Sequence, residues 1–438
     1  MKYFSTNQQS PLVDFREATI RGQAPDKGLY FPEEIPRLPE NFINDIEHFT
    51  REEIAFRVIE PYVGTTIPAD KLKEIVCETI AFDFPLVPID DRIAALELFH
   101  GPTLAFKDVG ARFMSRCLAY FVQGIQQQLT VLVATSGDTG GAVAGGFYGV
   151  EGVDVVILYP KGKVSSVQEL QLTTWGGNIT ALEVEGNFDD CQRMVKLAFA
   201  DEEVNRHQFL TSANSINVAR WLPQQFYYFF AHQQWNDPEH LPVVSVPSGN
   251  FGNICAGLLA HASGLPVQHF IAACNANDTV PAYLQTGNYH PKTAVATLSN
   301  AMDVGNPSNF SRILEIFGQQ FSSLQQTLGS TSVSDTQTRE TIRTVYNQYG
   351  YLLDPHGAVA YRALEQYLQA HPAQKGYFLG TAHPVKFYDV VEPVIGRQIP
   401  LPASIEALRQ KNGERIKIEA AYPVLKEFLL SKKHGGMP

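Results

Sequence analysis

The runs at residues 129–134, 153–158, 179–184, 242–246 and 267–273 constrain this chain more than any other feature, because they are apolar nearly throughout and mostly rich in β-branched residues. A strand wetted on one face alternates polar with apolar residues, so these read as strands buried on both faces. Helical spacing fills the intervals. Residues 109–122 place Val109, Phe113, Cys117 and Phe121 on one face, and residues 189–199 and 219–230 carry similar stripes. Strand–helix–strand repetition predicts an α/β fold of mainly parallel sheets flanked by helices. In such folds ligands sit beyond the carboxyl ends of the strands, so the chemistry is to be sought in the loops that follow strands.

The first stretch differs. It is rich in proline and short helical patterns, with a rigid turn into an extended piece at residues 28–32 and helical spacing across 66–81. This predicts a small N-terminal domain over residues 1–95, ahead of a main region over 96–438. Within the latter, residues 130–230 are expected to form a smaller mobile subdomain. Residues 432–436 read as a frayed end.

Of the 438 residues 18% are charged, with a net charge of −11, which opposes broad attraction to nucleic acid or an anionic membrane. An anionic ligand must therefore be held by local donors in a recessed pocket. Cys77, Cys117, Cys191, Cys255 and Cys274 include no C-x-x-C pair, so buried thiols in a reducing cytosol are expected rather than zinc or a disulfide framework. The start lacks the apolar core of a signal peptide, and no apolar run is long enough to cross a bilayer. A cytoplasmic protein follows as the expectation, and the lack of an obvious extra regulatory domain points to a monomer.

Two glycine-rich loops follow expected strands and open helices. One is Thr135-Ser136-Gly137-Asp138-Thr139-Gly140-Gly141; the other is Pro247-Ser248-Gly249-Asn250-Phe251-Gly252-Asn253. Glycine lets the backbone approach a ligand, and the free N–H groups of a helix start favour an anion. Each loop taken singly reads equally well as a strand-to-helix turn. Neither has the dinucleotide, P-loop or nucleophile-elbow spacing. A third feature is the lysine of Glu97-Leu98-Phe99-His100-Gly101-Pro102-Thr103-Leu104-Ala105-Phe106-Lys107-Asp108. An amine in apolar surroundings loses solvation, which lowers its pKa and suits it to Schiff-base chemistry. An arbitrary lysine is more often a snorkelling surface residue. His100, His356 and His383 fit no metal-ligand spacing, so no metal is expected.

Together these segments resemble the fold type II pyridoxal-phosphate (PLP) enzymes, and within them the threonine synthase family. Gly380-Thr381-Ala382-His383-Pro384-Val385-Lys386-Phe387, the stretches at 158–165, 214–217 and 298–304, and residues 28–32 extend the resemblance over nearly the whole chain. It implies a tryptophan-synthase-β-like fold and conversion of O-phospho-L-homoserine and water into L-threonine and phosphate. By the same resemblance Lys107 binds PLP and then acts as mobile acid and base. Gly249, Asn250, Phe251, Gly252 and Asn253 hold the cofactor phosphate, and Thr381 meets the pyridine nitrogen. Asp138 matches a position where many fold type II enzymes carry Asn near the cofactor 3′-hydroxyl. Ser136 and Thr139 are implied hosts for the substrate carboxylate; Lys163, Asn187, Arg193, Ser215 and Asn217 are implied hosts for its phosphate. For Asn187 and Arg193 the plain alternative is a helix cap and a solvated arginine. The rivals are a serine/threonine dehydratase or β-replacement synthase, a non-catalytic PLP-binding homologue, and, more distantly, a nicotinamide dehydrogenase.

Overall fold

The computed structural model describes residues 1–123 and 129–432; the expectation for 433–436 lies outside them. Its strands are β1 (Tyr3–Ser5), β2 (Tyr30–Pro32), β3 (Leu86–Pro88), β4 (Ile93–Glu97), β5 (Leu129–Ala134), β6 (Val153–Pro160), β7 (Ile179–Glu185), β8 (Phe209–Thr211), β9 (Val243–Pro247), β10 (His269–Cys274), β11 (Leu328–Ser332), β12 (Gly376–Gly380) and β13 (Ile416–Glu419). Two sheets carry the molecule. The larger runs β11-β10-β9-β12-β4-β3, parallel except for the β3–β4 pair. The smaller runs β13-β7-β6-β5-β8 and is parallel throughout. β1 and β2 form a separate antiparallel ribbon.

All five expected runs are strands. β5, β9 and the inner part of β6 are buried along their length, as strands covered by helices on both faces must be. The helix Lys107–Phe121 buries Val109, Phe113, Cys117 and Phe121, and also Gly110, Ala111, Met114 and Leu118. It is therefore a core element rather than a surface helix. Gly110 permits this: a Cβ there would lie 2.6 Å from the Arg220 carbonyl oxygen. Burying such side chains stabilises by roughly 1.5–3 kcal/mol each.

The expected helix at 219–230 is three pieces, Val218–Trp221, a 3-10 turn Leu222–Gln225, and Phe226–Gln234. Pro223 lacks an N–H and opens the tighter turn. The boundary expected after residue 95 falls inside β4, next to the centre of the larger sheet. Apart from Leu129, β5 to β8 lie within the span of the expected subdomain, but β13 completes their sheet from the far end of the chain. No helix among the described residues is long and apolar enough to cross a membrane.

Candidate active site

β4, β12 and β9 are neighbours in the larger sheet and point the same way, so the segments after them meet. These segments carry Lys107, Thr381 and residues 248–253. The backbone joins the first two directly: Phe106 N–H donates to the Thr381 carbonyl at 2.9 Å, and His383 N–H donates to that of Leu104 at 3.0 Å. Leu104 takes a φ of +59°, which turns the chain into the helix that Lys107 opens. The Thr381 hydroxyl has no partner among the described residues, although the residue is buried.

After β9, Phe251 adopts the left-handed region with φ of +61° before the helix Gly252–Ala262. That conformation is uncommon for a side chain with a Cβ, and the surroundings hold it. The Asn253 amide donates to the Pro247 carbonyl at 2.8 Å, and the Tyr228 hydroxyl to the Asn253 carbonyl at 2.7 Å. Asn250 Nδ2 donates to Ser215 Oγ at 2.8 Å, and Asn250 Oδ1 accepts from Ser308 N–H at 2.6 Å. Among the described residues, no acceptor meets the backbone N–H of Gly249, Asn250, Phe251, Gly252 or Asn253. Gly249 has no room for a Cβ, which would stand 2.6 Å from Met302 Cα. Met302 is backed in turn by His356, whose Nε2 accepts from Ala301 N–H at 3.2 Å while its Nδ1 meets Asp354 at 2.6 Å.

Beneath this loop lies Arg312, which is fully buried and has no carboxylate partner among the described residues. Its guanidinium donates to the carbonyls of Tyr30 (3.0 Å), Ser215 (3.2 Å) and Ile216 (2.6 Å) and to Asn309 Oδ1 (2.8 Å), over the Trp221 ring at 4.3 Å. Ser215 and Asn309 then hold Asn250.

The smaller sheet reaches the site through the segments after β5, β6 and β8, which carry Asp138, Gln168 and Ser215. Thr135 Oγ1 accepts from the N–H groups of Gly137 and Gly140, at 3.0 and 2.8 Å, and folds the loop after β5. The N–H groups of Ser136, Asp138 and Thr139 and the hydroxyls of Ser136 and Thr139 lack partners among the described residues. Asp138 is buried against Lys386 Nζ at 2.9 Å and Gln168 Nε2 at 2.9 Å. Burial alone would raise its carboxyl, but Lys386 and Lys107 together hold it well below the usual range. Burial is also the main cause that lowers the Lys107 amine; Asp138 opposes it, and Lys386 and Arg220 reinforce it.

Other expected site residues are placed less directly. Lys163 is exposed after β6 and makes no ion pair among the described residues. Asn187 caps the helix Phe188–Ala200 by accepting from Asp190 N–H at 3.0 Å. Arg193 pairs with Asp190 at 2.8 Å, is 57% exposed, and reaches the Ala420 carbonyl at 3.4 Å. Both residues thus sit in the helix cap and solvated ion pair of the plain alternative. Ser215 contributes its hydroxyl to the loop after β9 rather than standing free. Asn217 is turned away from the site: it is fully buried, donates to the carbonyls of Thr19 and Ser212, and accepts from Ala219 N–H. It has no exposed surface to offer a substrate.

A family model described as "Pyridoxal-phosphate dependent enzyme" matches residues 89–378; models described as "Threonine synthase N terminus" and "Threonine synthase, C-terminal" match residues 2–80 and 357–429. Threonine synthase from Serratia marcescens is 44% identical over 434 residues, covering 98% of this chain and 99% of that protein. The chain belongs to the threonine synthase family. The crystal structure of threonine synthase from Escherichia coli superposes with a TM-score of 0.91 at 42% identity, covering 98% of this chain and 99% of that one. PLP-bound threonine synthase from Brucella melitensis gives a TM-score of 0.92 at 36% identity, with the same coverage of both chains.

As a threonine synthase family member, the chain is a PLP-dependent enzyme. Its residues fit that group: five successive unpaired N–H groups suit a phosphate, and a lysine with a lowered pKa suits attachment. Sequence reasoning assigned no role to Lys386 or Gln168. A carboxylate at 138 in place of a neutral amide demands a cation, and Lys386 lies within a segment already singled out. That was the available signal. Gln168, three residues after the helix cap Ser165, and Arg312 carried no comparable mark.

Proposed function

We propose that the chain converts O-phospho-L-homoserine and water into L-threonine and phosphate, acting as a cytoplasmic monomer. The observation that carries this reading is a pair of unpartnered N–H clusters, residues 249–253 on the larger sheet and residues 136, 138 and 139 on the smaller. Lys107, which has no ion-pair partner among the described residues, enters the same site through the segment bonded to Thr381.

When bound, PLP supplies the electron sink that acidifies the carbons beside the substrate amine. Residues 249–253 hold its phosphate through backbone N–H groups. Lys107 is the residue that would hold it through its amine, and once released it would move the protons. It takes them from Cα and Cβ, after which phosphate leaves Cγ. Lys107 returns a proton to Cγ, water adds at Cβ, and a last proton to Cα completes threonine. A desolvated amine with a lowered pKa can serve these transfers in both directions. The neutral Thr381 hydroxyl would meet the ring nitrogen without enforcing its protonation.

The Ser136 and Thr139 groups hold the substrate carboxylate. Lys163 and the Asn187 amide hold its phosphate, and Arg193 joins by exchanging Asp190 for that phosphate. An exposed pair is worth about 0–1 kcal/mol, so the exchange costs little. Ser215 supports Asn250, and Asn217 fixes the helix that follows. Residues 130–230 move as a unit to close over the substrate. The decisive experiment incubates purified protein with O-phosphohomoserine and quantifies phosphate and threonine together. Equal yields are expected, with little use of homoserine or serine. Serine turnover to pyruvate at comparable efficiency would replace this reading with a dehydratase.

A further inference from the structure

Two lysines, Lys107 and Lys386, share the electrostatic field of one carboxylate, Asp138. Lys386 is fully buried, yet its Nζ is satisfied: Asp138 Oδ1 lies at 2.9 Å and the Thr103 carbonyl at 2.8 Å. It arrives on a stiff support, because the turn Pro384–Phe387 follows β12 and His383 Nδ1 accepts from Val385 N–H at 3.1 Å. From the opposite side Gln168 donates to the same Oδ1 at 2.9 Å, itself locked by a reciprocal cap with Ser165. Gly137 makes room for it, since a Cβ would stand 2.5 Å from Gln168 Cδ. The carboxylate is thus gripped from both sheets and cannot swing freely.

The remaining charges around Lys107 offer no substitute. Asp108 turns its carboxylate to Thr103, accepting from N–H at 2.9 Å and from Oγ1 at 2.5 Å. Asp354 is committed to His356 and to Gly357 N–H. Arg220 is a further cation, bonded to the Ala213 carbonyl. Among the described residues Lys107 has no ion pair.

We propose that Lys386 is a positioning residue that monopolises Asp138 and so leaves Lys107 without a counter-ion. This rests on the role proposed for Lys107 above. The lowered pKa of the Lys107 amine, caused first by burial, agrees with it. With Lys386 neutralised, Asp138 becomes available to Lys107, holds it as the ammonium, and makes the free amine scarcer at neutral pH.

The test uses the full-length chain freed of PLP. The rate at which an amine-reactive acylating reagent labels Lys107 is followed against pH by peptide mass spectrometry. In parallel, PLP attachment is measured by borohydride fixation and mapping of the modified lysine. Lys386→Met should move the labelling midpoint upward by about one pH unit or more, with PLP attachment near neutrality about tenfold slower. Lys386→Arg should stay near the parent, and Asp138→Asn should move the midpoint downward. Lys386→Met combined with Asp138→Asn should return to within about half a unit of the parent, since neither charge remains. An unmoved or lowered midpoint in Lys386→Met overturns the proposal. Should Lys386→Met fail to fold, Lys386→Gln takes its place, and an unmoved or lowered midpoint there overturns the proposal. PLP fixed on another lysine in the parent would sink the role of Lys107, while the labelling midpoints still decide the counter-ion argument.

Discussion

Replacing Arg312 with lysine keeps the charge and removes the fork. The guanidinium makes four hydrogen bonds to acceptors spread around its plane: three carbonyls from two distant segments and the Asn309 side chain. An ammonium is a single point with three donors, so it retains one or two of these bonds. Hydrogen bonds to a charged group contribute about 1.5–3 kcal/mol each, and at least two are lost, for a destabilisation of about 3–6 kcal/mol. Against a usual total of about 5–15 kcal/mol, this is a large fraction. The loss should also reach the cofactor, because Ser215 and Asn309 hold Asn250. Urea unfolding followed by circular dichroism, with and without added PLP, reads the stability; equilibrium dialysis reads the affinity. Arg312→Lys should unfold at much lower urea, bind PLP at least tenfold more weakly, and regain some stability at high PLP. A loss below about 1 kcal/mol with parental affinity would falsify the clamp.

Gly249→Ala puts a Cβ 2.6 Å from Met302 Cα and 2.9 Å from the Ala301 carbonyl oxygen, both backbone atoms that cannot step aside. PLP affinity measured by dialysis should fall at least tenfold. His383 is lowered to about 4, by burial first and by His100 next, so the folded state resists its protonation. Its contribution is complete above pH 6.5 and is lost as pH falls from 6.5 towards 4, by about 2 kcal/mol after allowance for partial exposure. His383→Asn keeps a capping oxygen for Val385 and should flatten the acid limb of an unfolding-against-pH curve. Thr381→Ser should retain most threonine production, whereas Thr381→Asp should favour a protonated ring nitrogen and divert product towards transamination. Identical product ratios in Thr381→Asp and the parent would place Thr381 away from the ring.

The strands richest in β-branched residues were legible because burial on both faces leaves a continuous apolar mark. β12 left little: Gly376-Tyr377-Phe378-Leu379-Gly380 is short and bounded by glycines, yet it stands at the centre of the larger sheet. β4 is alanine-rich, and the edge strands β11 and β13 carry polar residues that read as loop. The partition into two sheets is a long-range matter that no local window contains. In the site, the two loops stood out by their setting after strands and the lysine by its place between an apolar stretch and a helix, whereas Thr381 was marked only by the family resemblance. Arg312 did not, because a buried arginine without a carboxylate looks in sequence like any helical surface arginine. Arg193 shows the converse, a residue prominent in sequence that spends its charge on the neighbouring Asp190.

The position of β12 bears on how the protein is made. Synthesis proceeds at about 5–20 residues per second, so β4 and β9 leave the ribosome well before the strand that must lie between them. Until β12 inserts, each presents an open edge able to pair with another chain. Phe106 N–H likewise waits for the Thr381 carbonyl, and the lysine segment stays unanchored. A chain cut short before Gly376 therefore lacks the strand that joins the two halves of the larger sheet. Capture of the cofactor, and the yellow colour that comes with it, then reports that synthesis has passed β12 and the Thr381 segment.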